Sequence, residues 1–158
     1  MNSGFVLALA FGIGVVAGLR TFTAPAVTAW AADLHRLNLT NSHLAFMGSI
    51  WAVAIFTAGV GVETVGDLLP NAPARTAAPA LSARIVMGSF TGACFGVAGG
   101  AAPWLAGVLG AMGAVAGAFG GYYARTGLVR TLRAPDFAIA VPEDLVAIGL
   151  GILLVLRF

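Results

Sequence analysis

Lysine is missing from this chain: all eight basic residues are arginines. Acids are almost as scarce, with six in total, so charged residues make up only 9% of the 158 residues. A soluble domain carries about 25%, and nothing in the composition is left over for one. The net charge of +2 is too small and too divided for a nucleic-acid partner. The single cysteine, Cys94, rules out an intrachain disulfide and sits in an apolar run, where it reads as a small buried residue. There is no P-loop, no GxSxG and no HExxH. One cysteine and the loop histidines His35 and His43 build neither a triad nor a trustworthy metal signature. These absences lead us to expect no enzyme, no catalytic residue, no cofactor and no metal.

What the chain does have is apolar length. Hydrophobic residues make up 59% of it, and mean hydropathy is +0.97. That is the composition of an integral membrane protein, with room for about four to six spans of ~20 residues. Residues 5–19 resemble the apolar core of a secretory signal, but no basic residue precedes them and Arg20 separates them from the Ala29-Trp30-Ala31 cleavage-like site, so we expect no cleavage.

The charge-free runs give an all-α, polytopic bundle in one domain, 1–158, with five expected spans at 5–26, 44–69, 85–101, 104–124 and 142–157. Residues 85–124 lack any charge; as one helix they would be ~60 Å long, twice the hydrocarbon thickness. Gly99-Gly100-Ala101-Ala102-Pro103 is the expected fold-back. Pro70, Pro73 and Pro79 mark another connection. Five spans put the two ends on opposite sides. Arg75, Arg84, Arg125, Arg130 and Arg133 then share one side, against Arg36 and Arg157 on the other, which predicts a cytoplasmic N-terminus in a bacterial inner membrane. Trp30, Trp104, Tyr122 and Tyr123 fall near span ends, as interfacial anchors do.

Glycines recur every four residues: Gly88, Gly92, Gly96 and Gly100 on the third run, Gly113, Gly117 and Gly121 on the fourth, and Gly14 and Gly18 on the first. Such flat faces allow close helix packing, within the fold or between protomers of a homo-oligomer. Gly14-Val15-Val16-Ala17-Gly18 also resembles Gly113-Ala114-Val115-Ala116-Gly117, which would suit an inverted repeat of the kind found in transporters.

The few charges concentrate the functional signal. Glu63 and Asp67 lie four apart on one helix face, and Glu63 is about 9 Å inside the expected helix end. Ionisable groups at such depth usually face a bundle interior. Two nearby carboxylates repel unless a cation intervenes; Arg75 and Arg84 are the nearest arginines, and a plain helix-end ion pair is the bland alternative. Arg20, between Gly18 and Pro25, marks a helix that kinks or breaks. A straight first span would keep Arg20 from Glu63 in depth; an unwound one would turn it toward the centre, where Thr21 and Thr23 add hydroxyls. Glu143 and Asp144 follow Pro142, a pattern that fits the first turn of a helix or a second acidic site. Arg125, Arg130 and Arg133 read as orientation determinants, with Arg125, like Arg75 and Arg84, a candidate for anionic headgroups.

The ordered set Gly18-Leu19-Arg20-Thr21, Glu63-x3-Asp67-x2-Pro70-x2-Pro73-x-Arg75, Arg84-x3-Gly88-x3-Gly92-Ala93 and Glu143-Asp144 resembles an uncharacterised family of small bacterial inner-membrane proteins, domain of unknown function 4126. The resemblance covers nearly the whole chain. It implies a compact multi-span membrane domain and brings no activity. From the residues themselves we expect a small transporter or channel for an ion or charged solute, with Glu63, Asp67, Arg20, Glu143 and Asp144 as its binding groups and the lipid bilayer as its setting. A lipid-binding or scaffold protein without transport is the alternative.

Overall fold

The computed structural model describes residues 2–67, 76–132 and 136–158; the side chains of residues 67, 132 and 136–140 lie outside that description. Six α-helices and one 3-10 turn make up the fold, with no strand among the described residues: α1 (Ser3–Leu19), α2 (Thr23–Asp33), the 3-10 turn (Ala45–Gly48), α3 (Ile50–Asp67), α4 (Ala78–Gly99), α5 (Pro103–Leu132) and α6 (Asp136–Leu156). Among the described residues, two stretches are long and apolar enough to cross a membrane, Ala78–Ala98 and Pro103–Thr131.

Local chemistry sets the boundaries. Asn2 caps α1 by accepting from the Gly4 N–H at 2.9 Å. The fold-back between α4 and α5 falls in the glycine pair: Gly100 takes φ 68°, and its N–H bonds back to Gly96 and Val97. Only glycine adopts that left-handed cap without penalty. Pro103 then opens α5, where a missing N–H costs nothing. The first apolar run is not one helix. Arg20 adopts an extended backbone (φ −140°, ψ 118°), and α2 starts afresh at Thr23, with Pro25 in its first turn, another place where proline is tolerated.

The chain reverses at this break. A Cβ built on Gly12 would meet Leu154, and one on Gly151 would meet Val27. Arg20, which lies between Gly12 and Val27 in the chain, touches Asp144, nearer the start of α6 than either of those contacts. Thus α1 runs against α6 while α2 runs along it, and α1 and α2 form a helical hairpin with residues 20–22 at its tip. α3 then climbs back beside α2, with Gly59 against Phe22 and the 3-10 turn at Gly48 against Ala32.

The centre of the molecule is the trio α1, α4 and α5. A Cβ at Gly14 would stand 2.1 Å from the Gly110 carbonyl oxygen, and one at Gly113 would stand 2.1 Å from that of Phe11. Gly88, Gly92, Gly96, Gly18 and Gly117 are equally closed off by neighbouring backbone or side chains. Gly121 is buried on α5. The glycine faces are therefore spent on packing inside one chain. Around them Ile13, Val16, Cys94 and Phe95 are fully buried. Thr28 and Thr91, also buried, satisfy their hydroxyls on carbonyls of their own helices.

Three expectations need correction. Glycines 14 and 18 meet residues 110–118 in rising order, so α1 and α5 run parallel. An inverted repeat relates antiparallel copies, and the likeness of their Gly-Val-Ala segments is a shared solution to close packing. The hairpin adds one reversal to the five expected passes, so the two ends of the chain come to the same end of the bundle: Val6 lies against Gly99, and Phe158 makes an edge contact with Phe95. Finally, α6 starts at Asp136, so Pro142 lies inside it rather than in its first turn. Glu143 and Asp144 are thus mid-helix acids, not dipole caps.

Candidate functional site

The hairpin tip exposes the backbone that a helix normally satisfies. The last carbonyls of α1 and the first amides of α2 have no helical partners there. Side chains from two other helices supply them. Arg84, on α4, donates from Nη1 to the carbonyl oxygens of Gly18 and Leu19 at 2.6 and 2.9 Å. Glu63, on α3, accepts from the Thr21 N–H through Oε1 at 2.8 Å and from the Phe22 N–H through Oε2 at 3.0 Å. A cation thus sits on the carbonyl end of one helix and an anion on the amide end of the next, as the two helix dipoles favour. Arg84 Nη2 and Glu63 Oε1 also approach to 3.6 Å, so the two caps neutralise one another.

Arg20 projects from the tip itself and is met by α6. Its Nε and Nη2 both donate to Asp144 Oδ1. Arg20 and Arg84 are only 3% and 4% exposed. Next along α6, Glu143 Oε2 lies 3.7 Å from Nη1 of Arg125 on α5. Five elements therefore converge on one level of the bundle: the tip, α3, α4, α5 and α6. Arg20, Arg84, Glu63 and Asp144 sum to zero charge, which is what an apolar surrounding demands.

Of the expected binding residues, Glu63, Arg20, Asp144 and Glu143 come together here. Arg20 and Glu63 do not bond each other; they meet through adjacent tip residues and opposite partners. Asp67 ends α3, and its side chain lies outside the described residues, as does Arg75. Arg84 is turned inward onto backbone carbonyls, so it is not placed as a headgroup ligand. Arg125 is engaged by Glu143, and Arg130 is exposed near the end of α5. Among the described residues, no group of three or more metal-ligating side chains occurs. The amides of Thr21 and Phe22 are the components that sequence reasoning missed. Their signal is indirect: an arginine next to a helix break leaves backbone groups that some buried acid must satisfy.

No family model, curated protein or solved structure matches this chain. Function must be read from the geometry.

Proposed function

We propose that this protein is a small multi-pass membrane protein of the bacterial inner membrane that moves an ion or small charged solute, and that the hairpin tip is its transport site. The observation that carries the reading is the convergence of Arg20, Glu63, Arg84 and Asp144 on a helix break inside an apolar bundle. Ionisable groups held at membrane depth face protein interiors or water-filled cavities and are by default candidates for ion or substrate paths. Irregular backbone at that depth is tolerated where it lines a path or is buried in protein. Broken helices that offer amides on one side and carbonyls on the other recur at the centres of secondary transporters. Glu63 is the group that would exchange a proton or cation. The Arg20–Asp144 pair would open to admit a charged partner. The family resemblance, which rests on motif order alone, fits the same setting.

One observation favours a second reading. The four charges already balance, and each of them holds backbone or another charge. A scaffold whose tip is an internal strut would look the same at rest. Reconstitution in liposomes with an entrapped pH dye separates the two. The transport reading expects substrate-dependent ion or proton flux from the wild type under a screen of small cations and anions, and its loss in Glu63→Gln protein that remains folded. A silent wild type, with Glu63→Gln merely less stable, would leave the strut.

A further inference from the structure

The exposed tryptophans and tyrosines of α3 and α5 are not scattered. Trp104, at the second position of α5, is 73% exposed, and Trp51, at the second position of α3, is 74% exposed. Both helices begin at the same end of the bundle, the end that also holds Phe158 against Phe95. Tyr122 and Tyr123 are exposed farther along α5. From Trp104 to the tyrosines α5 rises about 27–29 Å, close to the ~30 Å hydrocarbon core of a bilayer. Between these marks, α5 shows lipid-like side chains to the outside: Val108, Met112, Val115 and Phe119 are all exposed. Beyond the tyrosines come Arg125 and Arg130.

We infer that the bundle sits in a bilayer with Trp51 and Trp104 in one interface and Tyr122 and Tyr123 in the other, the tyrosine end cytoplasmic and residues 2 and 158 both on the opposite side. The inference rests on the membrane reading above and fixes its frame. Aromatic belts with amphipathic rings mark headgroup levels, and this spacing fits one bilayer. The orientation follows from the arginines. α3 ends and α4 begins at the tyrosine end, as do the end of α5 and the start of α6; in sequence Arg75 and Arg133 fall between those ends, beside Arg125 and Arg130. The tryptophan end has Arg36 and Arg157. The positive-inside rule that predicted an inside N-terminus for five passes predicts the reverse once the first run turns back at its tip and returns to the side it entered from.

This frame also places the charged tip. Gly18 lies against residues 114–118 of α5, so Arg20 is roughly 5–8 Å below the tyrosines along the helix. The tip is therefore within the cytoplasmic leaflet and about 20 Å from the tryptophan interface. A solute would reach it first from the cytoplasm.

Single cysteines test the frame in a Cys94→Ala background, since the native thiol is buried. Asn41→Cys and Asn2→Cys report the tryptophan end; Gly127→Cys, where the glycine has open space around it, reports the tyrosine end. A membrane-impermeant maleimide applied to intact spheroplasts should label the first two and spare the third until the membrane is permeabilised. Labelling of Gly127→Cys alone, or of Asn2→Cys and Asn41→Cys from opposite sides, would overturn the inference. Recovery of the chain in the soluble fraction would instead overturn the membrane reading beneath it.

Discussion

Removing the Glu63 carboxylate should cost more than removing any other acid whose side chain is described. In Glu63→Ala the Thr21 and Phe22 amides lose their acceptor, and Arg84 loses the anion 3.6 Å from its Nη2. Hydrogen bonds to a charged group contribute about 1.5–3 kcal/mol each, and stripping one partner from a buried ion pair costs about 3–5 kcal/mol. These terms overlap, so about 3–5 kcal/mol is the expected total. For a chain of this size each kcal/mol shifts Tm by about 2–4 °C, which gives about 6–20 °C in thermal unfolding of the detergent-solubilised protein. Glu63→Gln retains one carbonyl oxygen for an amide and should lose less, about 1–3 kcal/mol. The double variant Glu63→Ala with Arg84→Met should be more stable than the sum of its parts, because no charge is left stranded. A Tm for Glu63→Ala within a degree of wild type would refute the account of the tip, since it would mean that water or lipid satisfies those amides equally well.

Other predictions concern the packing and the second ion pair. Gly113→Ala drives a methyl to 2.1 Å from the Phe11 carbonyl oxygen, so α1 and α5 must separate, at a cost of at least about 1–3 kcal/mol. Gly120→Ala and Gly149→Ala meet nothing within 4 Å and should instead gain a few tenths of a kcal/mol up to about 1 kcal/mol from a stiffer unfolded chain; comparing the three Tm values checks the contrast. Arg20→Met and Asp144→Leu should each destabilise, while the pair together restores much of the loss, with a coupling of about 1–3 kcal/mol in a double-mutant cycle. Cys94 should resist maleimide in the folded protein and react on denaturation, a simple gauge of native structure in every variant.

The helical class and most of the interruptions were legible in the sequence because they rest on strong local signals. The Gly99–Pro103 fold-back needs a left-handed cap followed by a proline, and the chain spells that out. The glycine stripes announced close packing, and the structure spends them within one chain. A break near Arg20 could be read from Gly18 and Pro25. Its consequence could not, because whether a chain kinks onward or turns back depends on what receives it. Here the receivers are Glu63 and Arg84, 42 and 66 residues away. That one undecided turn brings both ends of the chain to the same end of the bundle and sets α1 parallel to α5. The pairing of Glu63 with Arg84 was foreseeable as a nearby opposite charge. The pairing of Arg20 with Asp144 crosses 124 residues and has no local trace. Pro142 misled for a related reason: it looks like a first-turn proline, yet α6 begins six residues earlier.

The central claim is that the charges at the tip carry ions rather than only hold the hairpin. Asp144→Asn tests it most directly. The amide keeps an oxygen to accept from Arg20, so the fold should survive, while the charge is gone. Flux would be measured in matched liposomes containing wild-type or Asp144→Asn protein, with equal insertion and a cooperative thermal unfolding transition confirmed first, since the stranded Arg20 should lower Tm somewhat. The account predicts substrate-dependent flux in the wild type that the substitution abolishes. Equal flux in both proteins would contradict it.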